Sequence, residues 1–90
     1  MVNKSATYTI TVNDDVILGN AVSNTFTVYL PSAIGQLGKE ITIKKIDASA
    51  NYVNINASGS ETIDNIASFS TNVQYSALNL ISDNSNWYIR

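Results

Sequence analysis

GKEITIKKIDASANYVNI, residues 38–55, is the stretch whose reading decides the fold. Ile41 and Ile43 fall on one side of an extended chain, and Val53 and Ile55 do the same after a polar break at residues 47–51. Such period-two alternation marks strands with one buried face. The break is short and rich in Ala, Ser and Asn, so the economical reading is a hairpin of two antiparallel strands. Lys44-Lys45 interrupts the first run before Ile46, which predicts either a bulge or a switch of the buried side.

Working outward, the same alternation recurs. Thr7–Val12 sets Tyr8, Ile10 and Val12 against three threonines, and Thr25–Leu30 sets Phe26, Val28 and Leu30 against Thr25, Thr27 and Tyr29. Pro31 closes that second run, because it has no N–H to give to a ladder. Downstream, turn residues at Ala57–Ser60, Asp64-Asn65 and Asp83–Asn86 separate Glu61–Ile63, Ala67–Ser70, Val73–Ser82 and Trp87–Ile89. Turn signals at this spacing predict an all-β domain, a small antiparallel β-sandwich or β-prism of eight or nine short strands. No long helix is visible and no repeat recurs at a fixed period.

Composition agrees and narrows the chemistry. The 90 residues make a single domain, with 11 Ile, 7 Val, 8 Thr and 5 Tyr, the β-branched and aromatic bias of strands. The polar surface rests on 12 Asn and 11 Ser, and only 13% of residues are charged, for a net charge of −2. Five cations argue against a nucleic-acid partner, and Lys44, Lys45 and Arg90 read as solvated faces and ends. With no Cys and no His, disulfides and the common zinc or copper sites are excluded, as are Ser-His and Cys-His nucleophiles. No metal and no cofactor is expected. No apolar run is long enough for membrane insertion, and residues 1–10 lack the pattern of a signal peptide.

Candidate sites are therefore few. Glu40, Glu61 and five Asp residues leave glycosidase chemistry open on paper, yet the Asp residues sit mostly in turns, where they bond local backbone. Calcium could use Asn13-Asp14-Asp15 or Asp83–Asn86, but neither cluster has the spacing of a known loop. Aromatic and amide groups suit carbohydrate, with Tyr29, Tyr52 and Trp87 as candidate ligand-binding residues; the competing reading places those rings in the core with polar tips at its edge. No enzyme activity is expected.

Several segments taken together resemble a known family. Leu30-Pro31-Ser32-Ala33, Gly35, Gly38 with Glu40–Lys45, Asn51–Ile55, Glu61–Asp64, Leu80–Asp83 and Asn86–Ile89 are similar to a pattern found in the C-terminal β domains of bacteriophage tail-fibre and tailspike-like proteins and of fibre or surface proteins of large viruses. In outline the pattern is LP-x-A, a glycine, an IxIKK strand, a V-x-I strand, TID with a turn, and a closing SD-x-x-x-NWY. The resemblance spans about Thr9 to Arg90. It implies a non-enzymatic structural domain, a terminal fragment of a longer fibre protein, which trimerises, caps the fibre and sometimes contacts the host surface. It further implies a homotrimer on the virion, made in the host cytoplasm, with host surface glycan as a further partner. Where the family carries Gly after TID and before NW, this chain has Asn65 and Asn84-Ser85, and Asn is the residue that best tolerates the left-handed conformation in place of Gly. Ile41, Ile43, Val53, Ile55, Leu78 and Leu80 are expected to be buried, within one chain or at the trimer interface.

Overall fold

A computed structural model describes residues 1–90. The chain forms β1 (Val2–Lys4), β2 (Tyr8–Thr9), β3 (Val16–Gly19), β4 (Phe26–Tyr29), β5 (Glu40–Lys45), β6 (Val53–Asn56), β7 (Ser68–Thr71), β8 (Ala77–Ser82) and β9 (Trp87–Ile89), with no helix. They make two sheets. Sheet A has the order β1-β3-β5-β8-β9 and sheet B the order β2-β4-β6-β7.

From β1 to β6 the chain crosses to the other sheet after every strand. Three turns of a flattened coil result, each contributing one strand to either sheet and lying parallel to the turn before it. The last third reverses direction: β7 returns antiparallel along β6, β8 along β5, and β9 along β8. The all-β expectation and the strand number hold, but the antiparallel arrangement does not, since four of the seven ladders are parallel.

The expected hairpin at 38–55 is corrected for the same reason. β5 and β6 lie in opposite sheets, and residues 46–52 cross between the layers instead of reversing within one. Alternation reports which side of a strand is buried and is silent about which strand lies beside it. Ile41, Ile43, Val53 and Ile55 do face one another, but across the core and not across a hairpin ladder. No bulge interrupts β5 either; its alternation runs on, so that Lys45 takes the inward place after Ile41 and Ile43.

Inward side chains line up in rows, because parallel stacking sets like positions side by side. In sheet A, Val2, Ile17, Ile43 and Leu78 form one row, and Ile41, Leu80 and Ile89 another. Sheet B answers with Tyr8, Val28, Ile55 and Phe69, and with Phe26 and Val53. Gly19 has an inward place with Val53 and Phe26 of the opposite sheet pressed against it; a Cβ there would meet Val53 Cγ2 at 3.2 Å. A larger residue would need Val53 to give by a few tenths of an ångström, so glycine fits this place without adjustment.

Candidate functional site

Four of the segments that carry the family resemblance, Leu30–Ala33, Glu61–Asp64, Leu80–Asp83 and Asn86–Ile89, come together at one lateral end of the coil, while β5 and β6 span the sheets between that end and the opposite one. Trp87, from β9, is 0% exposed and its indole Nε1 donates to the carbonyl of Pro31 at 3.1 Å. Around it, Thr62, Ile63 and Asp64 run beside β9: Trp87 N–H donates to Thr62 O, Asp64 N–H to Trp87 O, and Ile89 N–H to the Asp64 carboxylate. Asn86 completes the contact by accepting from Thr62 N–H. The LP-x-A segment is tied in through Glu61, whose two oxygens accept from the Ser32 hydroxyl at 2.6 Å and from Ala33 N–H at 2.7 Å. Ser82, buried, donates its hydroxyl to Ala33 O. Segments separated by more than 50 residues thus form one knot, and its polar side chains are spent within the chain.

The turns in this knot use the expected substitutes for glycine. Asn65 has φ 68° and Asn84 φ 79°, both in the left-handed region, and Asp64 joins them at φ 48°. Asn84 also accepts from Gly35 N–H, which fastens the loop of β4 and β5 to the β8–β9 turn.

The carboxylates are likewise committed to local structure. Asp14 accepts from the Tyr8 hydroxyl at 2.6 Å and from the N–H and hydroxyl of Thr11. The Tyr8 bond, followed by the Thr11 N–H, holds the Asp14 carboxyl below its ordinary range, and the same bond raises the Tyr8 phenol. Asp83 is lowered by the N–H groups of Asn86 and Ser85, which close its turn. Glu40 pairs with Arg90 at the surface. No group of three acidic side chains comes together where a metal ion could be held.

At the opposite lateral end lies a network the sequence reading misplaced. Lys45, taken as a solvated cation, is 0% exposed. Its ammonium donates to the carboxylate of Asp47 at 2.9 Å, to Asp47 O at 2.9 Å and to Ser49 O at 2.8 Å, which uses all three of its hydrogens. Burial works to raise the Asp47 carboxyl, but bonds from the Ser49 hydroxyl, Ala21 N–H, Lys45 and Ser49 N–H outweigh it and hold the group well below the carboxylate range. Asp47 takes the Ala21 N–H at 2.7 Å, while Asn51 and Ser49 both donate to Ala21 O. The crossing loop of the third turn is so strapped to that of the second. The signal was present: Lys45 continues the Ile41, Ile43 alternation, and an Asp stands two residues on.

The remaining candidates separate. Trp87 has no face open to a ligand. Tyr29 and Tyr52, 41% and 44% exposed, both stand outside sheet B. Their neighbours there are Thr27, Asn54, Asn56 and Ser70, since Thr27 pairs with Asn54 and Asn54 with Ser70. Of the residues expected to be buried, Ile41, Ile43, Val53, Ile55 and Leu80 are in the chain's own core, and Leu78 is half-buried against it. The outward face of sheet A is of another kind: Val16 and Leu18 of β3 and Ile81 of β8 are half-buried there, with the exposed Tyr88 beside Ile81, and Glu40, Thr42 and Lys44 of β5 run between them. A cavity of about 80 Å³ opens between Phe69 and Leu78 and admits no more than a side chain. Comparison with known proteins finds no matching family model, no matching curated protein and no matching solved structure.

Proposed function

We propose that the chain is a non-enzymatic structural domain of a viral, phage-like fibre or spike, which associates as a homotrimer and closes the fibre end on the virion. One observation carries this reading: four of the family-like segments, Leu30–Ala33, Glu61–Asp64, Leu80–Asp83 and Asn86–Ile89, converge on the Trp87 knot, where they hold backbone and one another instead of facing solvent. Motifs whose polar groups are satisfied internally serve the fold. The architecture suits the role too, because a parallel coil is a shape that extends by adding turns, and the antiparallel β7, β8 and β9 end it on one side.

Self-association has a surface to use in the outer face of sheet A. Burying about 400 Å² of apolar area per chain there would contribute roughly 10 kcal/mol before association costs. For a 90-residue chain without disulfide or metal such a gain decides stability. Sedimentation equilibrium tests the reading: a mass near three chains is expected, reduced to one chain by Ile81→Asp. A wild-type monomer that stays folded at micromolar concentration overturns it.

A further inference from the structure

The two sheets divide the charge unequally. Sheet A strands hold Lys4, Glu40, Lys44 and Lys45, whereas no strand of sheet B contains a charged residue. On the outward side of sheet B the alternation leaves only Thr, Ser, Asn and Tyr. Each missing residue type removes a class of partner. Without cations the face has nothing to neutralise a phosphate or an acidic polysaccharide. Without carboxylates it has no ligands for a bridging calcium ion. Without an outward aliphatic side chain it lacks apolar groups for a subunit interface, whereas sheet A carries Val16, Leu18 and Ile81 on either side of β5.

What is present has positive content. Tyr supplies a large, rigid, amphipathic contact at low entropy cost, and Ser and Asn supply adaptable hydrogen bonds, the combination that recognition surfaces favour. Tyr29 lies level with Asn56, and Tyr52 stands four residues back along the same strand direction, so the two residues are about 13 Å apart along the strands. Between them, Thr27 and Asn54 form a row continued by Ser70. Ser70 donates to Asn54 Oδ1 at 2.7 Å, which fixes the amide and leaves its two hydrogens for a ligand acceptor. A strip of donors and acceptors with an aromatic residue at each end matches a chain of pyranose rings, whose hydroxyls lie at the edges and whose C–H faces are apolar.

We propose that this outer face of sheet B binds a neutral polysaccharide lying along the strands, held by Tyr29 and Tyr52 and hydrogen-bonded by Thr27, Asn54, Asn56 and Ser70. The role goes beyond fibre closure and does not depend on the trimer, whose proposed contact is on the other sheet.

The test is amide chemical-shift mapping of the full chain titrated with maltoheptaose, cellohexaose and chitohexaose, with heparin as the anionic control. Shifts are expected on β4, β6 and β7 with at least one neutral sugar and not with heparin. Tyr29→Ala and Tyr52→Ala should each weaken binding about tenfold while leaving the melting temperature and the sedimenting mass unchanged. The proposal is overturned if no neutral sugar shifts those strands at millimolar concentration, if heparin shifts them equally, or if the tyrosine variants bind as tightly as the parent. It is overturned as well if dilution alone moves these amides, which would show that another copy covers the face. Loss of the trimer with sugar binding intact would sink only the fibre reading.

Discussion

The two lateral ends of the coil do the same job with opposite chemistry. At one, Trp87 fills the gap between the sheets and spends its single N–H on Pro31. At the other, Lys45 reaches into the same kind of gap and spends three hydrogens on Asp47 and Ser49. Trp87 joins one turn to another directly, the Lys45 network does so through the bonds of Asp47, Ser49 and Asn51 to Ala21, and neither leaves a buried side-chain polar atom without a partner. The difference lies in what failure costs. An aromatic plug that is removed leaves a void, whereas a charge that loses its partner leaves an ion in a dry place.

The sharpest way to break the comparison is to empty the aromatic end. Trp87→Ala is expected to cost about 3–5 kcal/mol, because the void is compounded by the lost Pro31 contact. In a domain of this size that lowers the melting temperature by roughly 15–30 °C. Next comes Lys45→Ala, expected to cost about 3–4 kcal/mol in urea unfolding. The informative variant is the double change Lys45→Met, Asp47→Leu. Apolar replacement of a buried pair is often neutral, but here Asp47 also holds Ala21 N–H and Ser49, so recovery should stay incomplete. Full recovery would show that the pair, and not its backbone contacts, is what the network needs.

Acid distinguishes the ends more gently. Asp47 is lowered in the folded chain, so its stabilisation is fully present above the unfolded carboxyl value of about 4 and is lost as pH falls below it. Asp14 and Asp83 are lowered as well and act in the same direction. The urea midpoint should therefore decline from pH 5 to pH 2, and Asp47→Asn should flatten the decline while lowering the plateau. An unchanged slope in that variant would remove Asp47 from the account. The smallest effect is expected outside both ends: Arg90→Ala breaks an exposed pair with Glu40 and should change stability by less than about 1 kcal/mol.

What could be read from the residues follows from how local each signal is. Strand positions were legible because Ile41 and Ile43, Val53 and Ile55, and Phe26 and Val28 alternate, and alternation needs only neighbours along the chain. The turn substitutes Asn65 and Asn84 were legible for the same reason. The pairing of strands was not, because Val2 lies beside Ile17 while Val16 lies beside Thr42, so successive turns differ in length and no period announces them. For Trp87 the residues left two readings open, a ligand-binding ring or a core ring with its polar tip at the edge, since its burial is decided by Pro31, Thr62 and Ile63, all distant in sequence. Lys45 was misread because a lysine is rarely buried unless paired, and its hydrogen-bonding partners become apparent only when residues 46–52 are seen to cross between the sheets.

The order in which the chain emerges from a ribosome gives the two ends different histories. Lys45, Asp47, Ser49 and Asn51 are all made before β7, β8 and β9, and their partner Ala21 is older still. The charged end can therefore close on a nascent chain carrying only the parallel turns. Trp87 follows Asn51 by 36 residues; at about 5–20 residues per second it arrives seconds later. Through that interval β5 and β6 stand as open edges, and a neighbouring nascent chain can pair with them before β7 and β8 arrive. Pairing of β7 with β6 and of β8 with β5 is thus also the step that ends the exposure of those two edges to other copies.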